Sequence, residues 1–490
     1  MHERHPLAEA AEQHPDEAAL FVDGSFLCWG ELWAQVRKHA GYLRAQHLAP
    51  GSVVALQPTP SVQALVWLHA LWLADFPVML VNPQATATEL DGLIGAYSIG
   101  ALLSQDEATE AAVPTIPWQP DEESRPHEED TVRMDAPRFL VLTSGTTGLP
   151  KAVPLTGAQL ATHAATARLH LNLQPSDCWL ACLPFHHIGG LSVVLRAAFL
   201  GCRLHLQERF EATQVNHLLD EGGVTHASLV PTMLYRLLEN RGARPFTSTV
   251  RCLLIGGAPA SADLLERARR LRAPLALTYG LTEACSQVTT LRPEAFLRGE
   301  ASAGQPLPCT EVTLRTAAGH PVSGDEPGEI LVRGPTVLTA YHPTVHPPYH
   351  GSPDCRTADG WFRTGDWGRW DQQGALHILD RGTDLILSGG ENVYPSEIEA
   401  TLRKHPQVIE AAVVGVPHPE WGQAVMAFVE VRDAACVDSL SPHCRAWLAR
   451  HKVPKRFVVV QALPRTASGK IRREALREQA AAGDASESFS

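Results

Sequence analysis

Several things are scarce in this 490-residue chain. Its ten cysteines form no CxxC pair, which removes zinc-ribbon and dithiol redox frameworks. The tightest grouping, Cys178 and Cys182 followed by His186 and His187, lacks the second ligand pair of a zinc site. Buried free thiols in a reducing cytoplasm are the better reading. Positive charge is also short, with 41 Lys and Arg against 53 Asp and Glu and a net charge of −12, so no basic nucleic-acid footprint is expected overall. The longest apolar stretch, residues 62–81, is broken by Gln63, His69, Asp75 and Pro77, whereas a spanning helix needs about 20 nearly uninterrupted apolar residues. The first six residues hold charges and histidines but no apolar signal core. The expectation is a soluble, cytoplasmic protein without membrane insertion. No internal repeat is present, which excludes solenoids and propellers.

What remains is ordinary globular material, 44% hydrophobic and 19% charged, long enough for about three structural units. Up to about Gln105, helical patterns (residues 32–43 and 65–73) alternate with short apolar runs (53–56 and 78–81), an α/β rhythm. Residues 121–135, dense in Asp, Glu and Pro, read as an exposed loop. A clear βαβ unit follows. A buried strand at 250–255 stops at Gly256-Gly257, Ser261 caps a helix bearing Leu264, Leu265, Ala268 and Leu271, and Pro274 precedes a strand at 275–278. A right-handed crossover brings both strand ends to one sheet edge, where open α/β sheets bind ligands. After about Gly304, short segments at 312–315, 329–333 and 375–379, separated by Gly and Pro, read as antiparallel strands. The last hundred residues read as a small α+β unit, with helices near 396–403 and 442–450 and strands at 411–414 and 424–431.

The apolar run Phe139-Leu140-Val141-Leu142 leads directly into Thr143-Ser144-Gly145-Thr146-Thr147-Gly148-Leu149-Pro150-Lys151. Glycines let backbone N–H groups approach an anion, and four hydroxyls plus an ammonium suit polyphosphate oxygens. The spacing is not that of a Walker loop, and composition alone also admits a Ser/Thr-rich turn with an incidental lysine. This stretch resembles the phosphate loop of the acyl-adenylate-forming enzymes, and that family's other motifs follow in order. Leu183-Pro184-Phe185-His186-His187-Ile188-Gly189-Gly190 resembles the segment beside the acyl pocket. Gly256-Gly257-Ala258-Pro259 and Thr278-Tyr279-Gly280-Leu281-Thr282-Glu283 resemble the segments holding adenine and phosphates. Thr364-Gly365-Asp366 resembles the ribose motif. Arg381 onward, through Gly389-Gly390, resembles the hinge and the segment after it, and Pro464 to Lys470 the catalytic-lysine loop.

The resemblance implies an α/β fold: a large N-terminal domain of α/β subdomains (1–380) with a small β-barrel part at about 305–380, a hinge at 381–383, a mobile α+β C-terminal domain at 384–480 and a frayed tail at 481–490. It also implies an acid–thiol ligase that uses ATP and Mg2+ and takes CoA as co-substrate. In that scheme Thr143, Ser144, Gly145, Thr146, Thr147 and Lys151 bind the phosphates, Glu283 and Thr146 hold Mg2+, and Asp366 and Arg381 bind the ribose. Lys470 bridges the carboxylate and the α-phosphate, and Gly389-Gly390 lines the path of CoA after the small domain rotates. His187 falls at the family position beside the acid, while His186 reads as packing or solvent-facing. Thr383 stands where the family often has an acidic residue or lysine at the hinge.

The acid is less constrained. Residues 279–288, with Ser286-Gln287 after the glutamate, resemble the branch of menaquinone biosynthesis whose small-molecule carboxylate is o-succinylbenzoate. One of its two carboxylates is activated, and the other needs polar partners in an otherwise apolar pocket. Ser286 and Gln287 are the candidates to supply them. Another aryl or short acyl acid, or a carrier protein in place of CoA, stays open from sequence. Between Arg445 and Ala480, ten Lys and Arg meet two Asp and Glu, a local basic segment around Lys470 suited to phosphates.

Overall fold

The computed structural model describes residues 2–105, 111–120, 124–143, 150–316, 318–322, 324–345, 355–381, 384, 386–388, 391–418, 422–448, 450–465 and 470–483. Ser144 to Thr147, Thr383, Gly389, Gly390 and the end of the tail lie outside them. The chain divides into two compact units, Met1–Val312 with Val332–Phe362, and Thr313–Leu331 with Arg363–Ser490.

In the first unit two sheets carry the architecture. The larger, nine strands wide, runs in the order Gln305–Pro306, Ser286–Leu291, Leu275–Leu281, Cys252–Ile255, His226–Leu229, Cys178–Ala181, Arg203–Leu206, Ala18–Val22 and Ser25–Cys28. Its inner strands are parallel and its margins antiparallel. Parallel strands are covered on both faces, which is why Cys252–Ile255 and Cys178–Ala181 are buried throughout. The second sheet orders Lys151–Thr156, Pro137–Thr143, Val78–Leu80, Val53–Leu56, Ile99–Leu103 and Thr115–Ile116.

The longest apolar stretch of the sequence becomes the helix Val62–Leu73 and the strand Val78–Leu80, the helix capped by Ser61, whose Oγ accepts from Ala64 N at 3.1 Å. Trp67 and Trp72 are fully buried there. No helix among the described residues is long and apolar enough to cross a membrane. His69, on the same helix, is buried with His5, their rings 5.2 Å apart and Trp72 5.0 Å from His5. His5 Nδ1 accepts from Leu7 N at the start of the helix Pro6–Gln13. Burial holds His5 well below the usual imidazole range and brings His69 down to about 3.

Three sequence expectations need correction. Residues 121–135 are not all loop, because Thr131–Arg133 pairs antiparallel with His2–Arg4, burying Val132. The strand expected to stop at residue 278 continues to Leu281, since the neighbouring Ser286–Leu291 folds back and pairs with it. The late helix is Val437–Trp447, with Pro442 inside rather than at its start. A short turn, Ala434–Cys436, capped by Asp433, starts the winding earlier.

A four-stranded sheet, most of whose residues belong to the second unit, orders Glu311–Arg315, Gly328–Arg333, Phe362–Trp370 and Leu376–Arg381. A five-stranded sheet is built on the long hairpin Val408–His418 and Gly422–Val431. The helices Pro395–Leu402 and Val437–Trp447 supply the apolar cover of one face (Ile398, Leu402, Leu440), and Arg473–Gly483 supplies that of the other (Leu476, Ala480). The five-stranded sheet and its helices have the α+β character read for the last hundred residues, while the second unit also takes in 313–331 and 363–380, which the sequence reading placed in the large domain.

Candidate active site

Strand ends converge on one margin of the large sheet. Cys252–Ile255 ends at Gly256, where a Cβ would come within 2.9 Å of Thr278 Cγ2. Thr278 Oγ1 donates to Thr289 O at 2.8 Å, fixing the end of its own strand. Tyr279 is buried, while Gly257, Ala258, Pro259 and Gly280 are exposed at the rim. Gly280 is required by close approach: a Cβ there would lie 1.9 Å from Ser286 O, at the bulge between Tyr279 and Gly280. The turn Thr282–Ala284 then reverses the chain through Cys285 and Ser286, at φ values of 63° and 108°. Non-glycine residues in that region are strained and cluster at functional sites.

That turn presents Glu283. Its backbone O accepts from Leu338 N at 2.8 Å, and its Oε1 accepts from the Tyr341 hydroxyl at 2.9 Å. Lys151 Nζ lies 4.9 Å from the centre of the same tyrosine ring, within cation–π range. Thr143 and Lys151 face each other across the hairpin Pro137–Thr143 and Lys151–Thr156, so the candidate phosphate loop is the connection of that hairpin. Tyr97 donates to Pro150 O at 2.7 Å and anchors its exit. Tyr341 did not stand out in the sequence, because nothing local ties it to a glutamate 58 positions away.

A second convergence lies beneath Ser286-Gln287. Gln287 is buried and its amide is used within the protein: Nε2 donates to Thr290 Oγ1 at 2.9 Å, and Oε1 accepts from Arg196 Nη2 at 3.2 Å. Arg196 comes from the helix Ile188–Leu200, is 2% exposed, and stacks on Trp179 at 4.6 Å. Its Nε and Nη1 have no partner among the described residues. Burial lowers its pKa to about 10, so it stays cationic at neutral pH. A buried cation with unspent donors is costly unless an anion joins it. Sequence reasoning missed Arg196 because it sits in an apolar helical run.

His187 is the exposed N-cap residue of that helix, and the His186 ring lies 4.3 Å from it at a tilt of 47°, half-buried and lowered to about 3 by desolvation. Gly190 lets the helix start press on the preceding segment, since a Cβ would meet Pro184 O at 2.3 Å. Cys178 and Cys182 are buried thiols pushed up to about 12 by desolvation, the opposite of what a zinc ligand needs. Cys285, two residues after Glu283, is likewise pushed up to about 12.

In the second unit, Asp366 and Arg381 are direct cross-strand partners on the hairpin Phe362–Trp370 and Leu376–Arg381. Asp366 N donates to Thr364 Oγ1 at 3.0 Å, and Thr364 Oγ1 donates to Ile330 O at 2.7 Å. Lys470 is exposed, just before Ile471 pairs with Arg465. The helix after it is anchored by Arg473 to the buried Glu399 at 2.6 Å and by Arg477 to Asp384 at 2.7 Å.

Comparison with known proteins gives the class. Residues 7–342 match the AMP-binding enzyme family and residues 397–470 the AMP-binding enzyme C-terminal domain, and the chain belongs to that family. Among individual relatives, it is 36% identical over 492 residues to the 2-succinylbenzoate–CoA ligase of Bacillus licheniformis, covering 96% of this chain and 99% of the relative. The Geobacillus kaustophilus protein of the same name is 37% identical, with 96% of each chain covered. Its fold is similar to the o-succinylbenzoate CoA synthetase (MenE) of Bacillus subtilis bound to the acyl-adenylate intermediate, with a TM-score of 0.89, 33% identity, and 97% and 98% of the two chains covered. The same enzyme with ATP and magnesium gives 0.88 at 34% identity, covering 98% and 99%.

Proposed function

We propose that this enzyme is an AMP-forming acyl-CoA synthetase acting on o-succinylbenzoate. One carboxylate of the acid attacks the α-phosphate of ATP and expels pyrophosphate. The thiol of CoA then attacks the acyl-adenylate carbonyl and releases AMP. The observation that carries the choice of acid is Arg196: a buried guanidinium with Nε and Nη1 unspent, held from behind by Gln287, offers a charge-assisted partner for the carboxylate that is not activated. Gln287 thus serves the acid through Arg196, and Ser286 stands at the strained turn beside it.

Like-charge repulsion between a carboxylate and a triphosphate makes this chemistry a matter of positioning and charge compensation. Lys151 and the hairpin loop bind the phosphates, Glu283 with Thr146 holds Mg2+, and Thr278, Tyr279, Gly280 and Thr282, with Gly256, Gly257, Ala258 and Pro259, form the adenine rim. The Glu283 carboxylate is a hard oxygen donor with one oxygen engaged by Tyr341, which fits a magnesium ion that takes one protein carboxylate and fills the rest of its shell with phosphate and water. When bound, that ion supplies charge neutralisation to the departing pyrophosphate. Asp366 and Arg381 take the ribose, and Lys470 neutralises the α-phosphate during adenylation. The hinge at 381–383 and the pantetheine path at Gly389-Gly390 complete the proposal. The ten unpaired cysteines suit a reducing cytoplasm, where we place the activity.

A panel of carboxylic acids in a pyrophosphate-release assay tests the assignment. Release should depend on o-succinylbenzoate and continue to CoA ester with free CoA as sole acceptor. Equal or better turnover with benzoate or a medium-chain fatty acid would overturn the choice of acid.

A further inference from the structure

Two opposite charges of the nucleotide site, Lys151 and Glu283, approach one aromatic side chain from different sides. Tyr341 donates its hydroxyl to Glu283 Oε1 at 2.9 Å, and its ring lies 4.9 Å from Lys151 Nζ. No direct ion pair joins the lysine to the glutamate among the described residues. The segment carrying the tyrosine is fastened at both ends: Leu338 N donates to the backbone O of Glu283 at 2.8 Å, and His342 N to the backbone O of Ala152, the residue after Lys151, at 2.9 Å. The His342 ring also stands 6.1 Å from that of Tyr97, which holds Pro150. The tyrosine is thus rigidly mounted between the two charged groups.

We propose that Tyr341 is a positioning residue of the nucleotide site, a spacer that keeps Lys151 and Glu283 from neutralising each other and aims both at the triphosphate. The proposal rests on the ATP-site reading of Lys151 and Glu283 given above. The hydroxyl takes one oxygen of the carboxylate and leaves the other for Mg2+; a phenol has one proton to give, so it cannot occupy both. The ring face holds the ammonium by its quadrupole without consuming any of its three N–H donors, which stay available to phosphate oxygens. A direct Lys–Glu pair would instead have to be broken before each ATP bound. Arranging the groups beforehand moves that cost from binding to folding.

Calorimetric titration of ATP into the full chain, with and without Mg2+, separates the two halves of the role. Tyr341→Phe keeps the ring and loses the hydroxyl: metal-free ATP affinity should stay within about twofold, while the gain in affinity on adding Mg2+ should fall about tenfold, the scale of one charged hydrogen bond. The same substitution in a Glu283→Gln background should cost nothing further, because the two residues act as one unit. Tyr341→Leu should also lower metal-free ATP affinity, by about fivefold, as the ring contact is lost and Lys151 can pair with Glu283. If Tyr341→Leu loses its cooperative melt, Tyr341→Phe and the double variant decide the question. The proposal is overturned if Tyr341→Phe and Tyr341→Leu titrate like the parent while Lys151→Ala and Glu283→Gln are impaired. If Lys151→Ala and Glu283→Gln also bind like the parent, the ATP-site reading fails and takes the proposal with it.

Discussion

Replacing Arg196 with methionine separates recognition of the acid from stability of the scaffold, because the two should respond to very different extents. In the unliganded protein the guanidinium is 2% exposed and makes one side-chain hydrogen bond, to Gln287, with a stacking contact on Trp179. Methionine fills similar volume and removes a buried cation. The lost Gln287 bond costs about 1 kcal/mol, and relief of the buried charge offsets it, so the melting temperature of the free enzyme should move by no more than about 4 °C. In the proposed complex with o-succinylbenzoate, Nε and Nη1 would give the second carboxylate two charged hydrogen bonds, and their loss at about 1.5 kcal/mol each would remove about 3 kcal/mol. That corresponds to a fall of about 150-fold in kcat/KM for o-succinylbenzoate. A monocarboxylic acid makes no such contact and should lose less than about threefold. Pyrophosphate release measured for both acids, together with thermal melts with and without o-succinylbenzoate, reads each quantity. The ligand-induced rise in melting temperature should disappear in the variant. A variant that loses turnover equally on both acids, or keeps full turnover on o-succinylbenzoate, would refute the carboxylate role.

Other outcomes follow from the same structure. Lys470→Ala should abolish acyl-adenylate formation by at least about 100-fold yet leave CoA-ester formation from supplied acyl-adenylate nearly intact; equal loss in both half-reactions would assign the lysine elsewhere. Gly280→Ala must displace Ser286 O and should cost about 2 kcal/mol of stability with a larger loss of activity; a parental melt and parental turnover would contradict the bulge geometry. Acid should weaken the first unit through His5 and His69. Both are held neutral when folded but titrate near 6.5 once unfolded, so their contribution is complete above about pH 6.5 and lost as pH falls from there toward about 3. Between pH 7.5 and 5, His69→Leu should flatten the decline in melting temperature; an unchanged slope would argue against a buried neutral His69.

The parts legible in the sequence were those whose cause is local. Continuous apolar runs announced the parallel strands because such strands are covered on both faces, as at Val53–Leu56, whose bounds match. Ser261 announced its helix because capping needs only the next three residues, and Ser261 Oγ does accept from Leu264 N at 3.3 Å. Glycine-rich strand ends marked the rim because close neighbours leave no room for a Cβ, the Thr278 methyl at Gly256 and the Ser286 backbone at Gly280. The strand Thr131–Arg133 was hidden because its partner, His2–Arg4, comes from the start of the chain. Arg196 was hidden for a related reason. In an apolar helix an arginine normally reads as the solvent face, and only the packing of Trp179 and Gln287 around it shows that it points into the protein. Of the residues proposed for the site, Arg196 was thus the least legible, while the segments proposed for the nucleotide, each short and contiguous, were the most.

The buried cysteines bear on a hazard of the reaction itself. An acyl-adenylate is an acylating agent meant for one thiol, that of CoA, and any thiolate of the protein nearby would compete for it. Cys285 lies two residues from Glu283, where such competition would be most damaging. Its thiol is fully buried and pushed up to about 12 by desolvation, so the reactive thiolate is scarce at neutral pH. Desolvation thereby makes the cysteine nearest the turn chemically silent, and the enzyme is protected from acylating itself by the same packing that holds its strand end in place.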